Sequence, residues 1–123
     1  MAVLIDHIGY EVSDLQRSAD FYDAVFYALG ARRLFASPQA VAYGVDGPKF
    51  WIVVRGRSPA AGYGHIALEA NGRAAVDAAH AAGLAHGGID DGSPGKRPQY
   101  GRRHYAAYLC DPDGLRVEVV SRR

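Results

Sequence analysis

The chain has 123 residues, 49% hydrophobic and 22% charged, with a formal net charge of +1 and a single cysteine. That length suits one compact domain with a real core and is too short for two independent enzymatic domains. The charge balance gives no general attraction to nucleic acid or an acidic membrane, one cysteine excludes a disulfide framework or multi-cysteine zinc site, and no apolar run approaches the ~20 residues of a bilayer span.

The opening residues carry neither a basic n-region nor a cleavage-type stretch, so a cytoplasmic location is expected. Residues 3–12 are rich in β-branched and aromatic side chains and read as a strand. Ser13 and Gln16 match the S-x-x-Q capping box. Behind them Leu15, Ala19, Tyr22, Val25 or Phe26, and Leu29 recur at helical spacing up to Gly30. Strands are expected at about 31–36, 40–45 and 49–55, separated by Ser37-Pro38 and by Asp46-Gly47-Pro48. Residues 56–63 are turn-forming and fit a connector. Residues 64–70 read as a strand, Asn71 as an N-cap, and 73–82 as an Ala-rich helix ending at Gly83. A short strand near 84–88 and a Gly/Pro loop over 89–102 should follow. Residues 105–110 and 115–120 close as a hairpin over Asp111, Pro112, Asp113 and Gly114, a type I turn sequence.

The order repeats, and so do the letters: His7 and Ile8 align with His65 and Ile66, Glu11 with Glu69, and Ser13 with Asn71, at a constant offset of 58. The expected architecture is α+β. Two βαβββ modules, 1–55 and 64–123, form one domain whose curved mixed sheet surrounds a concave cavity.

Strand alternation sorts the polar candidates. Ile8 and Tyr10 oppose His7, Gly9 and Glu11; Ile66 and Leu68 oppose His65, Ala67 and Glu69; Val117 and Val119 oppose Arg116 and Glu118. His7, His65 and Glu118 therefore fall on the concave side, and two imidazoles with one carboxylate form a metal-ligand set that leaves positions open for substrate or water. Zinc suits this set, and manganese is also accommodated.

These residues carry a family resemblance over essentially the whole chain. Asp6 to Gly9, Ser13-Asp14 with Phe21-Tyr22 and Leu29-Gly30, Gly64 to Ala67, and Asp111 to Glu118 resemble the glyoxalase / bleomycin-resistance / extradiol-dioxygenase (vicinal oxygen chelate) superfamily. The resemblance implies that His7, His65 and Glu118 bind a divalent metal (Fe, Mn, Ni or Zn) that chelates two neighbouring oxygens of a small substrate. It implies Lewis-acid stabilisation of an enediolate or alkoxide, or activation of bound oxygen. The chain departs from glyoxalase I on the strand 49–55, where the positions for a fourth, glutamate ligand are Trp51 or Val53. A three-ligand site resembles those of extradiol dioxygenases and fosfomycin-resistance thiol transferases.

Besides Glu118, Glu69 is the catalytic candidate, with Glu11, as a general acid or base if the cavity raises its pKa. The loop 93–104 gathers Lys96, Arg97, Arg102 and Arg103 without an acid. As a substrate lid it would hold an anion through guanidinium contacts, with Arg97, Tyr100 and Tyr105 as substrate-binding candidates. His104 is a candidate supporting or substrate group, His80 a structural one, and Cys110 a small buried residue. The alternative function is a metal-free binding protein that stacks a small molecule on Trp51, Tyr100 and Tyr105. A homodimer is expected, with the site completed either within one chain or from the partner.

Overall fold

In the computed structural model, which describes residues 4–60, 62 and 64–123, the repeat folds twice into the same unit. The first holds β1 (Ile8–Glu11), α1 (Leu15–Ala28), β2 (Arg32–Ala36), β3 (Ala40–Gly44) and β4 (Pro48–Val53). The second holds β5 (His65–Glu69), α2 (Arg73–Ala85), β6 (Ile89–Lys96), β7 (Tyr105–Cys110) and β8 (Arg116–Ser121). The sheets run β1-β4-β3-β2 and β5-β8-β7-β6. In each, the first strand lies parallel to the last and the other pairs are antiparallel. Residue 3 of the expected first strand and residues 61 and 63 of the expected connector lie outside the described residues.

Period-2 alternation gives each sheet one apolar face, and the helix of its unit covers it. Val41, Tyr43, Phe50 and Ile52 pack under Tyr22, Val25 and Phe26 of α1. Aromatic rings fill that layer, with Tyr22 4.8 Å from Phe50 and Phe26 stacked on Tyr43 at 4.9 Å. In the second unit Leu68, Leu109, Val117 and Val119 meet Val76 and Ala79 of α2. No helix among the described residues is long and apolar enough to cross a membrane.

The two units join through their helices. Small residues on α2 let α1 approach: a Cβ on Gly83 would lie 2.8 Å from Leu109 Cδ1 and 3.1 Å from both Phe21 Cε1 and Val25 Cγ2. A second joint is the β7–β8 turn. Buried Asp111 accepts from the Leu115 and Asp113 amides at 2.8 and 2.9 Å and from the Tyr22 hydroxyl of α1 at 2.6 Å. Burial raises its pKa, opposed by the Tyr22 hydrogen bond.

Gly83 sets two effects against each other. Helix propensity alone favours Gly83→Ala by about 1 kcal/mol, whereas crowding a packed interior costs about 1–3 kcal/mol. The new methyl would meet side chains that are themselves wedged between the units, so a net loss of about 1 kcal/mol is expected. A lower urea midpoint at unchanged slope would show it, and a raised midpoint would mean that the joint has slack.

Several local expectations change. The N-cap of α1 is Asp14, whose side chain accepts from Arg17 N at 3.0 Å, and not Ser13. The Ser13 backbone amide and hydroxyl both donate to Asp113 on the opposite unit, a partner that no local motif reveals. The helix α2 begins after Gly72, without a side-chain cap from Asn71, and continues through Gly83 to Ala85. The strand expected near 84–88 lies instead at Ile89–Lys96, inside the segment expected to be loop. This strand is the edge of its sheet, where Pro94 gives up no necessary ladder bond, and it bulges between Asp90 and Gly92 and again before Gly95.

Candidate functional site

Each sheet leaves the face away from its helix open. On the second sheet, alternation along β8 turns Arg116, Glu118 and Val120 to that face, while the register sets Glu118 between Ala67 of β5 and Tyr108 of β7. These residues line a cleft of about 480 Å³ together with His65, Tyr100, His104 and Arg122.

Glu118 sits at the floor, only 6% exposed. Its two oxygens face different histidines. His65 Nε2 lies 3.2 Å from Oε1, and His104 Nε2 lies 3.3 Å from Oε2. The His65 side chain is 45% exposed at the cleft wall, whereas that of His104 is 6% exposed. His104 Nδ1 is buried without a hydrogen-bond partner among the described residues.

On the first sheet, His7 stands just before β1, hydrogen-bonded through Nδ1 to Asp6 at 2.7 Å and edge-on to Trp51 at 6.4 Å. Trp51 lies opposite Gly9 in the β1–β4 register, and its ring contacts Phe35 at 5.3 Å. His7, Trp51, Val53 and Arg55 line a separate cleft of about 410 Å³.

The candidate ligands thus divide within one chain. His65 and Glu118 meet, and His7 faces another cleft. His104 reaches the oxygen of Glu118 that His65 does not, so the two imidazoles do not surround a common point. Among the described residues no three His, Cys, Asp or Glu side chains are disposed to hold a metal ion within the single chain.

Four of the substrate or acid–base candidates stand outside the lining of the His65–Glu118 cleft. Tyr105 is on the helix side of β7: its hydroxyl donates to Asp77 Oδ1 of α2 at 2.7 Å, and Arg73 lies over its ring. The hairpin register puts 106, 108 and 110 on the open face, so Tyr105 has the wrong parity for the cleft. Arg97 curls back onto its own loop, donating to Ser93 O at 2.8 Å with its guanidinium 5.8 Å from the centre of the Tyr108 ring, and is not among the residues lining the cleft. Glu11 is ion-paired with Arg57, whose hydrogen bond holds its carboxyl below the usual range, opposite to the shift a general acid requires. Glu69 ends β5 as an exposed residue outside the cleft lining. Tyr100 does line the cleft, against His104 at 5.4 Å between ring centroids. The Cys110 thiol is pushed up by burial, consistent with an unreactive packing residue.

Tyr108, Arg116 and Arg122, none of them a sequence-based site candidate, also line the cleft. The β8 alternation that singles out Glu118 also carries Arg116 and Arg122, and this signal was available. Arg116 is immobilised, with its guanidinium 4.1 Å above the Tyr108 ring and Nε donating to Asp91 at 2.7 Å. Arg122 stands exposed at the rim, beyond the end of the strand.

The model of the Glyoxalase/Bleomycin resistance protein/Dioxygenase superfamily matches residues 4–119. A glyoxalase/bleomycin resistance protein from Albidiferax ferrireducens T118 is 32% identical in sequence, with a TM-score of 0.86 over 98% of this chain and 100% of that one. A glyoxalase-related enzyme from Fulvimarina pelagi is 21% identical, with a TM-score of 0.77 over 98% and 88% of the two chains. The fosfomycin resistance protein FosX from Listeria monocytogenes shares the fold at 20% identity, with a TM-score of 0.71 over 98% and 94%. Among curated proteins none matches this chain.

Proposed function

Because the chain belongs to the Glyoxalase/Bleomycin resistance protein/Dioxygenase superfamily, we propose that it is a divalent-metal-dependent enzyme acting on a small substrate through two neighbouring oxygens, with His7, His65 and Glu118 as metal ligands. The observation that carries this reading is an imidazole nitrogen and a carboxylate oxygen 3.2 Å apart at the floor of an open cleft. Ligand bonds of about 2.0–2.2 Å place neighbouring donors roughly 3 Å apart, so these two atoms need little movement to share an ion. Two imidazoles and one carboxylate suit iron, manganese, nickel or zinc.

The third ligand comes from a second copy. His7 and the His65–Glu118 pair line separate clefts, and a two-fold dimer brings the first-sheet face of one copy against the second-sheet face of the other, giving two equivalent sites. Exposed Leu4, Ile5 and Phe35 around His7 support a covered face there.

When bound, the metal would stabilise negative charge on the substrate oxygens as a Lewis acid. The chain's own residues supply the rest. Glu118 is held at the floor, Trp51 and Phe35 of the facing copy would add an apolar wall, and Arg122 and Tyr100 at the rim favour an anionic substrate. The open-face positions of β4 are Trp51 and Val53, and the carboxylate that does line this cleft, Glu11, is paired with Arg57, which holds it below the range of a proton-transfer group. That favours dioxygenation or thiol transfer over glyoxalase I-type isomerisation.

Elemental analysis of protein purified without chelator or nickel resin tests the reading. About one metal ion per chain is expected, lost in His65→Ala. A protein that stays empty after dialysis against iron, manganese, nickel and zinc would favour metal-free binding instead, with the Trp51–Phe35 wall as the stacking surface.

A further inference from the structure

We propose that His104 is a positioning residue, which holds Oε2 of Glu118 and so reserves Oε1 for the metal. The inference rests on the metal-site reading above and concerns a residue that belongs to neither the ligand set nor the substrate wall.

The loop before β7 fixes where this imidazole lies. Arg97 N donates to His104 O at 2.8 Å and His104 N donates to Gly101 O at 3.2 Å, closing residues 97–104 into a tight loop around the turn Pro98–Tyr100. The ring is thereby buried beneath Tyr100, with Nε2 on Glu118.

The two supports of Glu118 are not equivalent. His65 Nε2 lies 3.2 Å from Oε1 without hydrogen-bond geometry, whereas His104 Nε2 is hydrogen-bonded to Oε2. A metal held there would need lone pairs from both His65 Nε2 and Oε1, which no hydrogen bond between the two engages. His104 is on the other oxygen and is buried, so its bond survives. It is then the protein contact that keeps a buried carboxylate in place while the first oxygen turns to the ion.

The unpartnered Nδ1 points the same way. Whichever tautomer the ring takes, Nδ1 is buried without a hydrogen-bond partner among the described residues, so Nε2 is the nitrogen that the fold satisfies. The histidines hydrogen-bonded away from Glu118, namely His7, His80 and His86, contact the more exposed Asp6, Asp90 and Asp20 and leave no such atom among the described residues. A phenylalanine would fill the same space with no orphaned acceptor. Retaining a histidine there costs stability, and the Glu118 bond supplies what that cost secures.

Zinc and manganese affinities of the full chain, measured by calorimetry for wild type, His104→Phe and His104→Gln, test this. His104→Phe should weaken both by about 10–100-fold. His104→Gln, whose amide N–H reaches the same oxygen, should recover most of the loss. Equal affinities in wild type and His104→Phe would overturn the proposal, as would a glutamine variant as weak as the phenylalanine one. Imidazole nitrogen NMR of wild type is a second arm that needs no variant to fold. Before and after zinc, His104 should keep its proton on Nε2 while His65 Nε2 shifts; zinc on a His104 nitrogen would make it a ligand and defeat the idea. If wild type takes no metal, the site reading fails by itself, and the metal-free spectrum still decides the His104 bond: a proton on Nδ1 would refute it.

Discussion

Chains carrying His7→Ala and chains carrying His65→Ala should each lose bound metal as homodimers, yet regain about half of the wild-type content when paired with one another. The arithmetic follows from the division of ligands between clefts. In a mixed dimer, one site combines both substitutions and is lost. The other joins the intact His7 of the His65→Ala chain to the intact His65 and Glu118 of the His7→Ala chain. A site completed within one chain predicts no recovery, because every chain in the mixture lacks a ligand. Co-expression with two different tags, neither of them polyhistidine, isolates the mixed dimer, and elemental analysis reads the result. A mixed dimer as empty as its parents would rule out completion across copies. The expected loss in each parent is large, since removing one of three ligands leaves the ion two protein donors and solvent.

The letters already carry the duplication, because His7-Ile8 and His65-Ile66 begin equivalent strands and the same alternation recurs on both. Parity also brings His65 and Glu118 to one face, and the structure finds them in contact. What local pattern cannot supply is how the halves meet. The closeness of α1 and α2 depends on Gly83 and Gly88 facing Phe21, a relation between residues more than sixty apart in the chain. This joint leaves His7 and His65 in different clefts, although strand logic places both on a concave side. The missed strand β6 has a similar origin. Gly and Pro read as a loop by composition, but an edge position needs only one side of its ladder, and Gly92 lets the Tyr108 ring approach: a Cβ there would lie 3.0 Å from it. Ser13 reads locally as a cap because its tertiary partner, Asp113, is a hundred residues away. The side that Tyr105 faces is hidden for a narrower reason, since its parity depends on hairpin register, and a shift of one residue reverses every side chain.

The helix joint also makes the strongest stability prediction. Phe21 is fully buried, packs edge-on to Tyr22 at 4.9 Å, and occupies the notch that the two glycines of the second unit leave open. A Cβ on Gly88 would lie 2.5 Å from its ring, so no other side chain has room to share this space. Phe21→Ala should therefore leave a cavity between two units that are each anchored to their own sheet and cannot close in on it. The expected loss is about 3–5 kcal/mol, read as a melting temperature lower by roughly 10–20 °C. A double-mutant cycle with Gly83→Ala identifies the cause. The added methyl crowds Phe21 in the parent but has freed space beside it in Phe21→Ala, so the combined loss should fall short of the sum by about 0.5–2 kcal/mol. Strict additivity would mean that ring and glycine do not share the joint. A second unfolding transition in Phe21→Ala would show that this one ring makes the two units unfold as one, because the cooperative link between them runs through the packed helices more than through the connecting chain.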